Sequence, residues 1–204
     1  MTSNPVEAAL RAVAAPLAID EAAAPVDLRW GPLFAALDGR DEGDFLEAIE
    51  LIYEGYLVHY RTGRLATIAT GDRQTALLAG DVFYAHGLRT IASRGDVHSV
   101  ELLTRLMSAC SCLRSLGLPF TVDDALWAYT MAALAAVRAG VPPAEAGAFF
   151  DEVDAELAGG APADLPVRAA VAAAALGLPD PAPLEVAFAS IAPSLDVPSR
   201  PSAQ

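Results

Sequence analysis

Lysine is absent from the 204 residues, so all 13 basic side chains are arginine. That excludes Schiff-base chemistry and a phosphate loop built on lysine, and leaves any diphosphate contact to arginine. Cations are scarce along the whole chain, where 26 acids give a formal charge of -13. Without a basic face, nucleic acid is excluded as a partner. The two cysteines, Cys110 and Cys112, lie two apart on an expected helix and point to nearly opposite sides. They can neither pair nor share a zinc ion there, and are expected as core thiols in a reducing compartment. The three histidines, His59, His86 and His98, are scattered, and no two are spaced to share a metal. There is no G-x-S-x-G, Gly-rich phosphate loop or HEXXH. The longest uncharged apolar run, residues 125–137, is too short to span a bilayer. The N-terminus lacks a basic segment followed by a cleavage site, so a cytoplasmic protein, soluble or peripheral to a membrane, is expected.

Strand alternation and hairpin turn signals are missing as well, and what is present is helical period punctuated by caps. The expected class is all-α, with one domain over residues 1–192 and a disordered Pro- and Ser-rich tail over 193–204. Asn4, Pro5 and Glu7 read as N-cap, N1 and N3 of a first helix ending near Ala14. A short helix from Trp30 is ended by Gly39. Residues 41–62 form a strong helix with acids in its first turn, closed by Gly63. Asp72 and Gly95 bound a central helix, Asp96 caps another to Leu116, and their junction suggests an antiparallel hairpin. Over 118–192 a Thr121–Asp124 capping box, Pro142, Pro166 and Pro183 open four further helices.

Two features hold candidate chemistry. In the central helix Leu77, Tyr84, Leu88 and Ile91 form an apolar stripe, and Asp81 falls on it. An ionised carboxylate in such a core position requires a cation, a metal or several donors; a structural ion pair and a ligand-facing acid both fit. In the preceding helix Glu47, Glu50 and Glu54 make a ladder, expected as a solvated face and, failing that, as ligands of a divalent cation. The adjacent Asp123 and Asp124 are explained by capping.

The central helix also carries a resemblance. Arg73-Gln74, Leu77-Leu78-Ala79-Gly80-Asp81, Tyr84-Ala85, Gly87-Leu88, Ile91-Ala92 and Gly95-Asp96 resemble the LAGD-type helix of trans-isoprenyl diphosphate synthases. Upstream, Ala48 to Ile52 and Leu57-Val58-His59 resemble the helix that delivers that family's first aspartate-rich motif. The likeness covers residues 44–116 and implies a truncated isoprenoid-synthase-like helical bundle. Where the family places its first two aspartates, this chain has Tyr60-Arg61; the arginine-rich loop is reduced to Thr62-Gly63-Arg64, and the second motif is missing. A tyrosine and a cation cannot hold the magnesium that binds an allylic diphosphate.

Retaining the hairpin without the metal sites resembles the non-catalytic small subunits of heteromeric polyprenyl diphosphate synthases, of the heptaprenyl diphosphate synthase component 1 type. The resemblance implies no catalytic or metal-binding residue in this chain and no cofactor, with Mg2+ on an aspartate-rich catalytic partner. It implies a dimer interface at Leu77, Leu78, Asp81, Tyr84, Leu88, Ile91, Leu103 and Met107. It also implies an isoprenoid groove at Tyr56, Tyr60, Phe83 and Tyr84, with Arg61 neutralising Asp81 or a partner acid. Two alternatives remain: a divergent class I terpenoid or prenyl synthase holding magnesium on Glu50, Glu54 and Asp81, and a structural homodimeric scaffold.

Overall fold

The computed structural model describes residues 4–17, 20–21, 26–40, 43–67 and 73–191. Its described residues form nine α-helices: α1 (Pro5–Ala14), α2 (Trp30–Asp38), α3 (Gly43–Tyr60), α4 (Arg73–Ser93), α5 (Val97–Ser115), α6 (Phe120–Arg138), α7 (Pro143–Gly159), α8 (Leu165–Ala175) and α9 (Ala182–Ile191). The all-α expectation is met. A short 3-10 turn, Ala15–Leu17, follows α1. Two residues, β1 (Asp20–Glu21), pair antiparallel with β2 (Ala66–Thr67), a contact that no alternation announced. The expected N-cap Asp72 and the 193–204 tail lie outside the described residues.

Local signals explain most boundaries. The Asn4 side chain accepts from the Val6 N–H at 3.0 Å and Pro5 takes N1, so α1 starts with one orphan donor satisfied and one absent by chemistry. Asp96 accepts from Ser99 N–H at 3.0 Å, the same device for α5. Gly39 and Gly95 take φ of +69° and +74°, left-handed values that end α2 and α4 without a Cβ clash. The expected capping box of α6 is not used: the helix begins at Phe120, with Pro119 at its N-cap, so Thr121 is already helical. Asp123 instead sits fully buried with its carboxylate 2.8 Å from Arg114 Nε.

Where the sequence suggests one domain, the chain divides into two compact units. Unit 1 comprises residues 1–35 and 40–100; unit 2 comprises 36–39 and 101–204. In unit 1, α3 is the hub, with α1 and α4 packed against it. Leu51, Val58, Ala79 and Phe83 meet Val6 and Leu10 of α1 in a continuous apolar core. Phe34 stacks on Phe45 at 4.9 Å, seating α2 on the start of α3. In unit 2, α6 is the hub: every residue from Asp123 to Ala136 is buried. Leu165, Ala169, Ala170 and Ala173 of α8 and Leu184, Phe188 and Ile191 of α9 are buried in this unit, and both helices pack on α6. Among the described residues no helix is long and apolar enough to cross a membrane.

Candidate functional site

The two segments that carry the family resemblance pack face to face in unit 1. An added Cβ on Gly80 would fall on the imidazole of His59, one on Gly87 would meet Ile52 and the Ala48 carbonyl oxygen at 2.5 and 2.6 Å, and one on Gly55 would meet Tyr84 and the Gly80 carbonyl oxygen at 2.8 and 2.9 Å. As the α4 position rises, its α3 partner falls, so the helices run antiparallel. Glycine at these three positions lets the backbones approach closely and gives the pair a single register. The close antiparallel partner of α4 within its unit is therefore α3. The expected α4–α5 hairpin straddles the division of the chain, with α4 in unit 1 and residues 101–115 of α5 in unit 2.

His59 is held at this crossing. Its Nε2 lies 3.1 Å from the Leu77 carbonyl oxygen, which can only accept, so that nitrogen carries the proton and donates. The same nitrogen is 3.4 Å from Asp81 Oδ1. The imidazole meets the Tyr84 and Tyr60 rings edge-on, with centroids 5.1 and 5.7 Å away. Tyr60 continues through Tyr56 (5.6 Å) to Tyr53 (5.9 Å), giving an aromatic row along α3.

Asp81 corrects the sequence reading. It is not a core acid: its side chain is 69 % exposed, beside His59. Leu77 and Leu78 are exposed as well, at 42 % and 67 %. The face of α4 that is buried runs through Ala79, Gly80, Phe83, Gly87 and Ile91. Of the remaining residues expected at an interface, Tyr84 and Leu88 are half-buried in unit 1, while in unit 2 Leu103 is fully buried and Met107 half-buried. Of the four expected groove residues, Tyr56 and Phe83 are buried, Phe83 within the core shared with α1, and Tyr60 and Tyr84 are half-buried. The Arg61 guanidinium lies over the Tyr56 ring at 5.6 Å.

The glutamate ladder is the second correction. Glu50 and Glu54 are fully buried rather than solvated. Arg64 closes on both, with Nε 2.9 Å from Glu54 Oε2 and Nη1 on Glu50 Oε2. Backbone donors take the other oxygens: Arg29 and Gly31 N–H donate to Glu50 Oε1 at 2.9 and 2.7 Å, and Arg64 and Leu65 N–H to Glu54 Oε1 at 2.7 and 3.0 Å. Arg64 also donates to the carbonyls of Asp27 (2.8 Å) and Glu50 (3.0 Å), and its guanidinium lies 4.9 Å from the Tyr53 ring centre. Burial alone would lower the pKa of this guanidinium; Glu50 and Glu54 override it and hold the pKa above its ordinary value. Every carboxylate oxygen of Glu50 and Glu54 has a protein donor, so the cluster ties residues 27–31 and 64–65 to α3. Glu47, half-buried, has its pKa raised by burial and then by repulsion from Asp44.

Cys110 is buried, as expected of a core thiol, whereas Cys112 is exposed. The sequence names Arg64 only within the loop Thr62-Gly63-Arg64, with no signal for its pairing with Glu50 and Glu54, and nothing in it singles out Gly55. Comparison with protein families, with curated proteins and with solved structures finds no match to this chain.

Proposed function

We propose that this chain is the non-catalytic subunit of a heteromeric polyprenyl diphosphate synthase, working in the cytoplasm and supporting and setting chain length for an aspartate-rich partner that holds the Mg2+. The observation that carries this reading is the α3–α4 crossing: the two segments resembling synthase helices lie against each other through His59 and Gly80. Directly after His59, Tyr60 and Arg61 stand where the family carries its aspartates. Glu50 and Glu54, two of the three acids the enzyme alternative needs, are paired with Arg64 and four backbone donors. The exposed Leu77, Leu78 and Asp81 on α4 offer an apolar strip with one charge for the partner to cover. Tyr60 and Tyr84, only half-buried, are the two groove residues that an isoprenoid chain bound by the complex would reach first.

The test is reconstitution. The purified chain is expected to elongate no farnesyl diphosphate; co-expressed with an aspartate-rich synthase subunit of its host, it should co-purify and the pair should be active. Leu78→Glu should break the pair without unfolding the chain, because Leu78 is exposed. Elongation by the chain alone would refute the reading. So would a pair that forms equally well with Leu78→Glu and Leu77→Glu together.

A further inference from the structure

The outer face of α4 has a symmetry of its own. At the helical period, Leu78, Asp81, Ala85, Arg89 and Ala92 fall within an arc of about 80°, and all five are exposed. About Ala85 the order inverts: Asp81 stands four residues before it and Arg89 four after, Leu78 seven before and Ala92 seven after. An acid mirrors a cation, and a large apolar side chain mirrors a small one.

Such a pattern suits a two-fold contact, in which one patch must complement itself. When two copies of α4 lie antiparallel with the axis at Ala85, each residue stands level with its mirror position on the other copy. Asp81 is then level with the second copy's Arg89, and Leu78 with its Ala92. Alanine against alanine at the axis lets the backbones approach and leaves the arginine stem room to reach across. A parallel pair would instead set Asp81 beside Asp81 and Arg89 beside Arg89, so charge selects the antiparallel arrangement. Both charges are available. Asp81 is 69 % exposed although its Oδ1 lies 3.4 Å from His59 Nε2, and among the described residues the Arg89 guanidinium donates only to His86 Nδ1, at 3.3 Å. One helix pair buries an area at or below the low end of specific interfaces, about 1,200 Å², so the pairing is weak and concentration-dependent.

We propose that the chain pairs with a second copy of itself through antiparallel α4 helices, Asp81 of each copy meeting Arg89 of the other across an Ala85 contact. The self-pairing stands on α4 alone; only its displacement by a synthase subunit, which needs the same strip, rests on the function proposed above. Sedimentation equilibrium of the purified full chain, from micromolar to millimolar, is the test, and the mass should double across that range. Asp81→Arg and Arg89→Asp should each weaken the dimer about tenfold, because each sets like charges level at both ends of the contact. The double reversal should restore it to within about threefold. Ala85→Trp should abolish it while the circular dichroism stays helical. A chain that stays monomeric throughout would overturn the proposal. So would a dimer indifferent to either reversal, or a double variant no tighter than the single ones. The measurement contains no synthase subunit, so its failure leaves the heteromeric reading standing, and loss of that reading leaves the self-pairing intact.

Discussion

The two units bury charge in different forms. Unit 1 buries it at the hub: Glu50 and Glu54 are wholly enclosed, and Arg64 with four backbone N–H groups compensates them. Unit 2 encloses single pairs at its hub α6, Arg114 with Asp123 and Arg138 with Asp38, and sets the arginines that hold two acids each at the rim. There Arg105 holds Asp151 and Asp154, both at 2.7 Å, and Arg168 holds Glu152 and Glu156. The geometry of these forks is alike, but their energetic weight is not. A solvated pair is screened and contributes little, whereas removing one member of an enclosed pair strands a charge in a medium that cannot solvate it.

Arg64→Leu should therefore be the most damaging of these changes, costing about 3–5 kcal/mol because two buried carboxylates lose their only cation among the described residues. Equilibrium urea unfolding of the full chain would measure it. Glu156→Gln in unit 2 should change stability by less than about 0.5 kcal/mol in the same assay. If these two substitutions cost the same, the contrast between the enclosed clamp and the solvated fork is wrong.

The glycine contacts give a finer test inside unit 1. Gly87→Ala places its Cβ against the Ala48 carbonyl oxygen, a backbone atom that cannot turn aside, and should cost about 1–3 kcal/mol. Gly80→Ala meets only the His59 ring, which can swing out at the expense of its bond to the Leu77 carbonyl. It should cost less, and most of that cost should vanish in a His59→Ala background, a coupling that a double-mutant cycle reads directly.

A pH titration sharpens the description of unit 2. Burial, foremost, raises the Tyr129 pKa from 10.0 to about 12. The folded chain then binds this proton more tightly than the unfolded chain does. The associated stability is complete below pH 10 and is lost as pH rises through about 12. Phenolate absorbance should show a step near pH 12, and Tyr129→Phe should remove it.

Helix existence was legible because caps and glycines are local signals. Asn4, Gly39, Gly95 and Gly117 act within one turn of their own position, and α7 to α9 begin beside the prolines that announce them. The orientation of α4 was not legible in the same way. Leu77 and Leu78 point outward and the inner face is made of glycine, alanine, Phe83 and Ile91, so a reading weighted by hydrophobicity misplaces the first half of the helix. Asp81 was placed in the core for that reason. Glu50 and Glu54 were misplaced for another: their partner stands in a loop 10 to 14 positions away, beyond any helical period. The candidate site was thus legible as a set of residues, but the faces they present were not.

The Arg64 clamp also bears on the order in which the chain can be built. Residues 27–31 are fastened to α3 through Glu50 and the arginine that follows it. During synthesis α1 and α2 leave the ribosome well before their fastener does. Residues 27–31 are therefore not fully fastened until residue 64 emerges, and any pause in translation before that codon would lengthen the interval in which the apolar residues beside them are open to other chains.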